Sequence, residues 1–319
     1  MTAIGAIRYE FPAATRSVRD LAAAGLVTSA PETLESLGFD RVRVAIDESA
    51  YLLAKRASTA LIKEHSIDPA SIGLLVYGGA PGGLAFAPGG ALASSADDVV
   101  TTARFCYPST RLQYDLGLEH AAVLAVDQLA CTTLFGAVRV ARALCVAEGI
   151  DRALCVAADM YPPRAGREAL FNCTSDAACA VLVERSGARN RIVAARTITK
   201  GYYWDADAMR DEIVASYFPT ARHVMTETVR EAGWSPRDVD WVIPHNVSRR
   251  SWEILMGLMG FPRARLWADN IARDGHTLAG DNFINLRDAL DAGCITPGDR
   301  LLLFSYGYGA HWTALAVEA

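Results

Sequence analysis

The chain has 319 residues, of which 51% are hydrophobic and 21% charged, enough apolar material for a large core and too much for a disordered chain. With 31 basic and 36 acidic side chains the net charge is −5, which argues against a broad electrostatic grip on nucleic acid or anionic lipid. The length fits two domains or one large α/β unit.

Apolar stretches are interrupted by charge or glycine before 18 residues, so no membrane span is expected. The opening MTAIGAIRYEFP has neither the basic nor the apolar region of a secretory signal. The seven cysteines are Cys106, Cys131, Cys145, Cys155, Cys173, Cys179 and Cys294. Their odd number, the lack of a C-x-x-C pair and their place in apolar runs point to reduced thiols in a cytoplasmic protein.

Taken in chain order, short β-rich runs alternate with longer helical patterns, the signature of α/β layering. Strands are expected over residues 4–10, 72–77, 122–126, 153–157, 178–184, 192–199, 241–244, 301–305 and 312–318. Helices are expected over residues 48–65, 132–148, 208–232, 251–257 and 278–292. The Gly/Pro-rich stretch 78–90 reads as a loop; it lacks the Gly-Lys-Ser/Thr of a phosphate loop.

The chain also rhymes with itself. A helix, a Pro-started turn and a buried strand occur around Asp68-Pro69 and again around Ser235-Pro236. Residues 175–184 and 309–318 form a second matching pair. Two copies of one α/β unit, joined near residues 185–205, account for both.

The segment from Ala121 to Gly136 carries the chemistry. A strand ends, a tight turn follows, and an almost wholly apolar helix begins at Cys131. Helix-terminal N–H groups and the helix dipole stabilise a thiolate there, and the Cys131 N–H can face a developing oxyanion. Cys145 and Cys155 read instead as small core residues.

At these residues the sequence resembles the thiolase superfamily, and within it the β-ketoacyl-acyl carrier protein synthase III (KAS III)-like enzymes. Asp127–Gly136 resembles the nucleophile elbow. Thr174-Ser175-Asp176-Ala177-Ala178-Cys179-Ala180 is similar to the family's G-D-G-A-G-A turn without its glycines, and Ile243-Pro244-His245-Asn246 to the active-site histidine motif. Arg273-Asp274-Gly275-His276-Thr277 falls where the family has G-N-T. Ser305-Tyr306-Gly307-Tyr308-Gly309-Ala310 resembles the C-terminal Gly-rich turn. The resemblance covers essentially the whole chain. It implies a five-layered αβαβα thiolase fold of two pseudo-symmetric halves, residues 1–190 with the nucleophile and residues 191–319 with the histidines. It also implies a homodimer built through strand 122–126.

The resemblance further implies an oxyanion hole from the N–H groups of Cys131 and of the Gly307, Tyr308, Gly309 turn, and a functional His245 that donates a hydrogen bond to the substrate oxygen. His276 stands where the family has Asn, and Asp281 follows five residues later. A carboxylate at a helix start can simply suit the dipole. It can also orient and charge His276, completing Cys131–His276–Asp281 as nucleophile, base and orienter. That arrangement resembles KAS III-like acyltransferases of natural-product (polyketide-type) pathways.

Acyl transfer to an oxygen, nitrogen or thiol acceptor is therefore the preferred activity. Decarboxylative condensation, using Cys131, His245 and His276, is the competing one, and a non-catalytic ketosynthase-like partner subunit is a third reading. The family's coenzyme A-binding W-I-x-x-R-T-G-I has no counterpart in residues 31–39, where its Trp and Arg are missing. An acyl carrier protein donor is favoured over coenzyme A, with Arg249 and Arg250 as candidate contacts for its acidic surface and phosphate. No permanently bound cofactor and no metal are expected.

Overall fold

Runs of consecutive apolar residues become strands buried on both faces, and the longer amphipathic patterns become the helices that cover them. The structure is a computed structural model and describes residues 1–79, 106–162, 164–170 and 172–319. Its first part contains β1 (Ala3–Glu10), β2 (Ala14–Ser17), α1 (Val18–Ala23), α2 (Pro31–Ser36), β3 (Arg41–Val44), α3 (Ala50–Glu64) and β4 (Leu74–Gly79). There follow α4 (Pro108–Asp115), β5 (Ala122–Val126), α5 (Thr133–Ala147), β6 (Arg152–Asp159), β7 (Glu168–Ala169), β8 (Asn172–Cys173) and β9 (Ala177–Glu184). The remainder comprises β10 (Arg191–Thr199), α6 (Arg210–Glu231), β11 (Trp241–Pro244), α7 (Arg249–Met259), α8 (Asp269–Asp274), α9 (Asp281–Asp291), β12 (Arg300–Gly307) and β13 (His311–Glu318).

Among the described residues nine strands form one sheet in the order β5-β4-β6-β9-β1-β10-β13-β12-β11. The order is symmetric about its middle. On one side β1 pairs antiparallel with β9, β9 antiparallel with β6, and β6, β4 and β5 run parallel. On the other β10 pairs antiparallel with β13, β13 antiparallel with β12, and β12 runs parallel to β11. The counterpart of β5 is reduced to a parallel bridge between Val242 and Leu266. The two sides meet where Ala3 pairs with Arg191, a joint carried by the Ile192 N–H donating to the Thr2 carbonyl at 2.9 Å.

Three apolar clusters define the layers. Helix α3 packs Leu53, Ala57 and Leu61 on one outer face, against Leu75, Leu154 and Val156. Helices α5 and α9 lie between the two sides of the sheet, where Leu134, Phe135, Phe283 and Ile284 share one apolar cluster with strand residues of both sides. Helices α6 and α7 cover the other outer face through Val224, Met225, Trp252 and Met256. The result is the five-layered α-β-α-β-α arrangement the sequence implied.

All nine strands of the large sheet coincide with the strands expected from sequence, give or take two residues at an end. The elements not foreseen are short: β2, β3, β7, β8, α1, α2, α4 and α8 span at most eight residues, too few to display a period. Helix α7 begins at Arg249, two residues early, because the Ser248 side chain accepts the Ser251 N–H at 3.1 Å and caps it there. Of the loop expected over 78–90, Gly78 and Gly79 close β4, and the rest lies outside the described residues.

One helix bears on the expected absence of a membrane span. The continuous helical stretch Ala130–Ala147 is long and apolar enough to meet the length and composition of a membrane span, with Arg139 and Arg142 its only charges. Its apolar character has another cause here: it is the central helix, and half of it is buried between sheet layers.

Candidate active site

Strand β5 delivers the chain to the elbow. Two non-glycine residues there, Gln128 (φ 60°) and Ala130 (φ 47°), adopt left-handed backbone conformations, each at a cost of about 1–2 kcal/mol. Such strain persists where surrounding packing enforces it and is common at functional sites. Cys131 sits between them and α5, inside a 3-10 turn (Ala130–Thr132) that runs directly into the helix. It is 8% exposed. Gly307, at the end of β12, packs flat against the elbow: a Cβ at Gly307 would overlap the Leu129 carbonyl oxygen and lie 3.1 Å from the Cys131 nitrogen.

The His276 loop is held from the first half of the chain. The His276 N–H donates to the Cys173 carbonyl and the Ser175 N–H to the His276 carbonyl, both at 2.8 Å. The imidazole then bridges two partners. Its Nε2 lies 3.1 Å from Cys131 Sγ, and its Nδ1 lies 2.5 Å from Asp281 Oδ2.

Asp281 is fully buried and each of its oxygens is occupied. Oδ1 accepts the Thr277 N–H and hydroxyl, each at 2.6 Å, while Oδ2 accepts the Asn246 N–H at 2.6 Å as well as facing His276. All of these partners except the imidazole can only donate to it, so the carboxylate is held in one orientation. Burial works against a charged His276, yet Asp281 and the Cys131 sulfur on its two nitrogens hold the imidazolium well above the usual histidine range.

His245 differs. It follows β11, is fully buried, and rests edge-on against Trp252, whose indole N–H donates to the His245 carbonyl at 2.9 Å. Burial, with charged His276 close by, pushes its pKa down to about 3, so the ring is neutral. Nδ1 faces the Phe304 carbonyl at 3.3 Å, a partner that only accepts, which favours the tautomer with the proton on Nδ1 and a lone pair on Nε2. Nε2 is buried, has no partner among the described residues, and belongs to a residue lining the cavity. The donor role expected of His245 requires the other tautomer, with the proton on Nε2.

The cavity measures about 600 Å³. Cys131, His245, His276 and Tyr308 line it together, with an apolar wall that includes Ile213, Tyr217 and Phe218 of α6. Gly309 is absent from the lining; its Cα side packs on the His311 ring. Arg249 and Arg250 are exposed on the first turn of α7, outside the lining, and Arg250 meets Glu253 at 3.4 Å.

Among the lining residues that escaped the sequence reading, two lie beside the triad's cavity at the end of one strand. Asp159 ends β6, and Tyr161 follows it. Their signal was positional: ligands of open parallel sheets sit at the carboxyl ends of the strands.

Residues 229–319 match the family model described as 3-oxoacyl-[acyl-carrier-protein (ACP)] synthase III C terminal. The chain is 40% identical to β-ketoacyl-[acyl-carrier-protein] synthase III 3 of Streptomyces coelicolor over 86 residues, covering 27% of this chain and a quarter (25%) of that protein. It is 24% identical to β-ketoacyl-[acyl-carrier-protein] synthase III of Aquifex aeolicus over 293 residues, 88% of each. Among solved structures it superposes on the ChlB3 acyltransferase with a TM-score of 0.84 and 22% identity, covering 100% of this chain and 97% of the other. The matches support a ketosynthase III-type relationship and a thiolase fold, and relatives that are transferases or synthases.

Proposed function

We infer that the protein is a KAS III-like acyltransferase that works through an acyl-Cys131 intermediate, and the contact carrying this reading is Cys131–His276–Asp281. Cys131 attacks the carbonyl of an acyl thioester on an acyl carrier protein or coenzyme A. The carbon–sulfur bond to the carrier breaks, and the His276 imidazolium gives its proton to the departing thiolate. His276 is then neutral. It takes the proton of an acceptor hydroxyl, amine or thiol as that atom attacks the Cys131 thioester, and passes it to the Cys131 sulfur as the product leaves. The N–H groups of Cys131 and of the Gly307–Tyr308 turn stabilise each oxyanion.

Two observations support plain transfer over condensation. Decarboxylation of a malonyl group calls for donors on the enolate oxygen, and His245 Nε2 offers a lone pair. His276 is committed to Asp281 and equipped as a base. Decarboxylative condensation remains the second reading, favoured by the synthase III names of the relatives. The partner-subunit reading has no such support, because Cys131 and its base are in contact. Arg249 and Arg250 serve as carrier contacts, the exposed strand β5 as the homodimer edge, and the setting is a cytoplasmic natural-product pathway.

The test is intact-protein mass spectrometry after exposure to acyl-, malonyl- and aryl-thioesters. A mass gain absent in Cys131→Ala, without carbon dioxide release from malonyl thioester, supports acyl transfer. Carbon dioxide released in step with product installs the condensing alternative.

A further inference from the structure

The cavity holds two hydrogen-bond acceptors that the acyl-transfer chemistry leaves unused. One is the His245 Nε2 lone pair, fully buried and unpartnered among the described residues. The other is Asp159. Its carboxylate lines the same cavity and receives one hydrogen bond among the described residues, a long one of 3.3 Å from the Ala279 N–H. Burial lifts the Asp159 carboxyl to about 6, against the pull of that N–H and of charged His276. This is the behaviour of a carboxyl short of donors.

Neither group has a task in the transfer itself. The reacting proton goes to His276 Nε2, which touches the sulfur. An acyl chain brings no donors, and the wall suited to it is the apolar one of Ile213, Tyr217 and Phe218. A molecule entering the cavity displaces whatever solvent satisfies Asp159 and His245. One without donors at those points leaves two buried acceptors unpaired, at a cost of about 1–3 kcal/mol each.

We propose that Asp159 and His245 Nε2 are the recognition wall for the acyl acceptor, and that this acceptor is a polyhydroxylated molecule. One of its hydroxyls is acylated while another donates to Asp159, with His245 Nε2 as the second acceptor. Neutral hydroxyls suit the wall better than an ammonium group, since His276 already places positive charge against Asp159. The proposal rests on the acyl-transfer reading. It also separates this wall from a condensing site, in which the corresponding groups would hold an anionic oxygen and would have to donate.

The experiment compares glycerol with propan-1-ol, two probes of the same carbon skeleton, as acceptors for the enzyme acylated by an N-acetylcysteamine thioester. Adduct formation on Cys131 is read first, by intact mass. The expected result is a glycerol preference in kcat/KM of about tenfold or more per wall contact, the order of a hydrogen bond to a charged group. In Asp159→Leu the preference falls by about tenfold, the share of one wall contact, and Asp159→Asn, which keeps a carbonyl acceptor, restores part of it. A wild-type enzyme that forms the adduct yet uses both alcohols equally overturns the proposal without any variant having to fold. So does a preference that is undiminished in Asp159→Leu. Failure of every thioester to form a Cys131 adduct overturns the acyl-transfer reading itself, and this role with it.

Discussion

Replacing Asp281 by Asn separates the two half-reactions. In the native site both carboxylate oxygens face N–H groups: Oδ1 the Thr277 amide, Oδ2 the Asn246 amide and His276 Nδ1. An Asn side chain puts its NH₂ against a donor in either orientation. Turned toward His276 it reverses the tautomer, so that Nε2 carries a hydrogen toward Cys131 and cannot act as a base. Turned the other way it leaves the Thr277 amide unpaired and gives His276 a neutral partner in place of a charged one. The loss of a charged hydrogen bond is worth about 1.5–3 kcal/mol, or roughly 10- to 150-fold in rate at 1.4 kcal/mol per decade. Loss of general-base function extends this to about 10²–10⁴.

The two steps are not equally exposed to that loss. An ordinary thiol titrating near 8.5 still supplies roughly 3% thiolate at pH 7 and about half at pH 8.5. An acceptor hydroxyl has no such reserve. Single-turnover acylation by Asp281→Asn should therefore fall by no more than about 30-fold at pH 7 and recover most of its rate near pH 8.5. Transfer from the preformed adduct should stay about 10²-fold or more below wild type at both pH values. Rapid-quench mass spectrometry of the Cys131 adduct reads both. An Asp281→Asn enzyme with near wild-type transfer would refute the role of His276 as an Asp281-supported base.

Other outcomes follow from the same geometry. Cys131→Ala should abolish both adduct and product, whereas Cys145→Ala, in the core face of α5, should lower stability by about 1–2 kcal/mol and retain the adduct by intact mass. Gly307→Ala forces a methyl group into the Leu129 carbonyl and should cost about 1–3 kcal/mol in urea denaturation along with most acylation. Leu124 is 39% exposed on the apolar edge strand β5, so Leu124→Lys should turn the proposed homodimer into a monomer by light scattering; a wild-type monomer at micromolar concentration refutes that interface. His245, held near 3 when folded and near 6.5 when unfolded, binds fewer protons in the folded state, so its contribution to stability is complete above 6.5 and is lost as pH falls toward 3, by roughly 1.4 kcal/mol per unit. Asp159, raised to about 6, acts in the opposite direction over part of that range. The signature is accordingly the difference between wild type and His245→Gln in denaturation at pH 5 and pH 7, and a difference that does not change with pH contradicts the burial argument.

Much of the fold was legible because its strands are buried on both sides. Residues 153–157 and 301–305 have no polar alternation to confuse, and β-branched and aliphatic runs of that length bounded by turns admit few other readings. The elements that were missed lack any such run. Helix α2 reads Pro-Glu-Thr-Leu-Glu-Ser and buries only Leu34, and β7 and β8 are two-residue strands. Their conformation is set by what they pack against. Helix α5, expected over 132–148 and found over Thr133–Ala147, lies between two sheet layers and so needs apolar residues on more than one side.

The site divides along similar lines. Cys131 was legible from local grammar, a strand, a turn and a helix start, and His276 with Asp281 from a five-residue spacing that places both at the mouth of one helix. What sequence could not supply was the direction of His245. Its role depends on which ring nitrogen is satisfied, and that is decided by the carbonyl of Phe304, 59 residues away on β12. Asp159 was hidden for a related reason. An aspartate at the end of a strand is an ordinary surface residue until the His276 loop closes over it, and the Ala279 N–H that marks the closure lies 120 residues further on. Both groups become informative only through what they lack. A buried lone pair and a buried carboxylate, each short of a donor, call for a ligand that brings donors. The signal for the proposed nucleophile is thus written locally, and that for the proposed acceptor in contacts that only the folded chain creates.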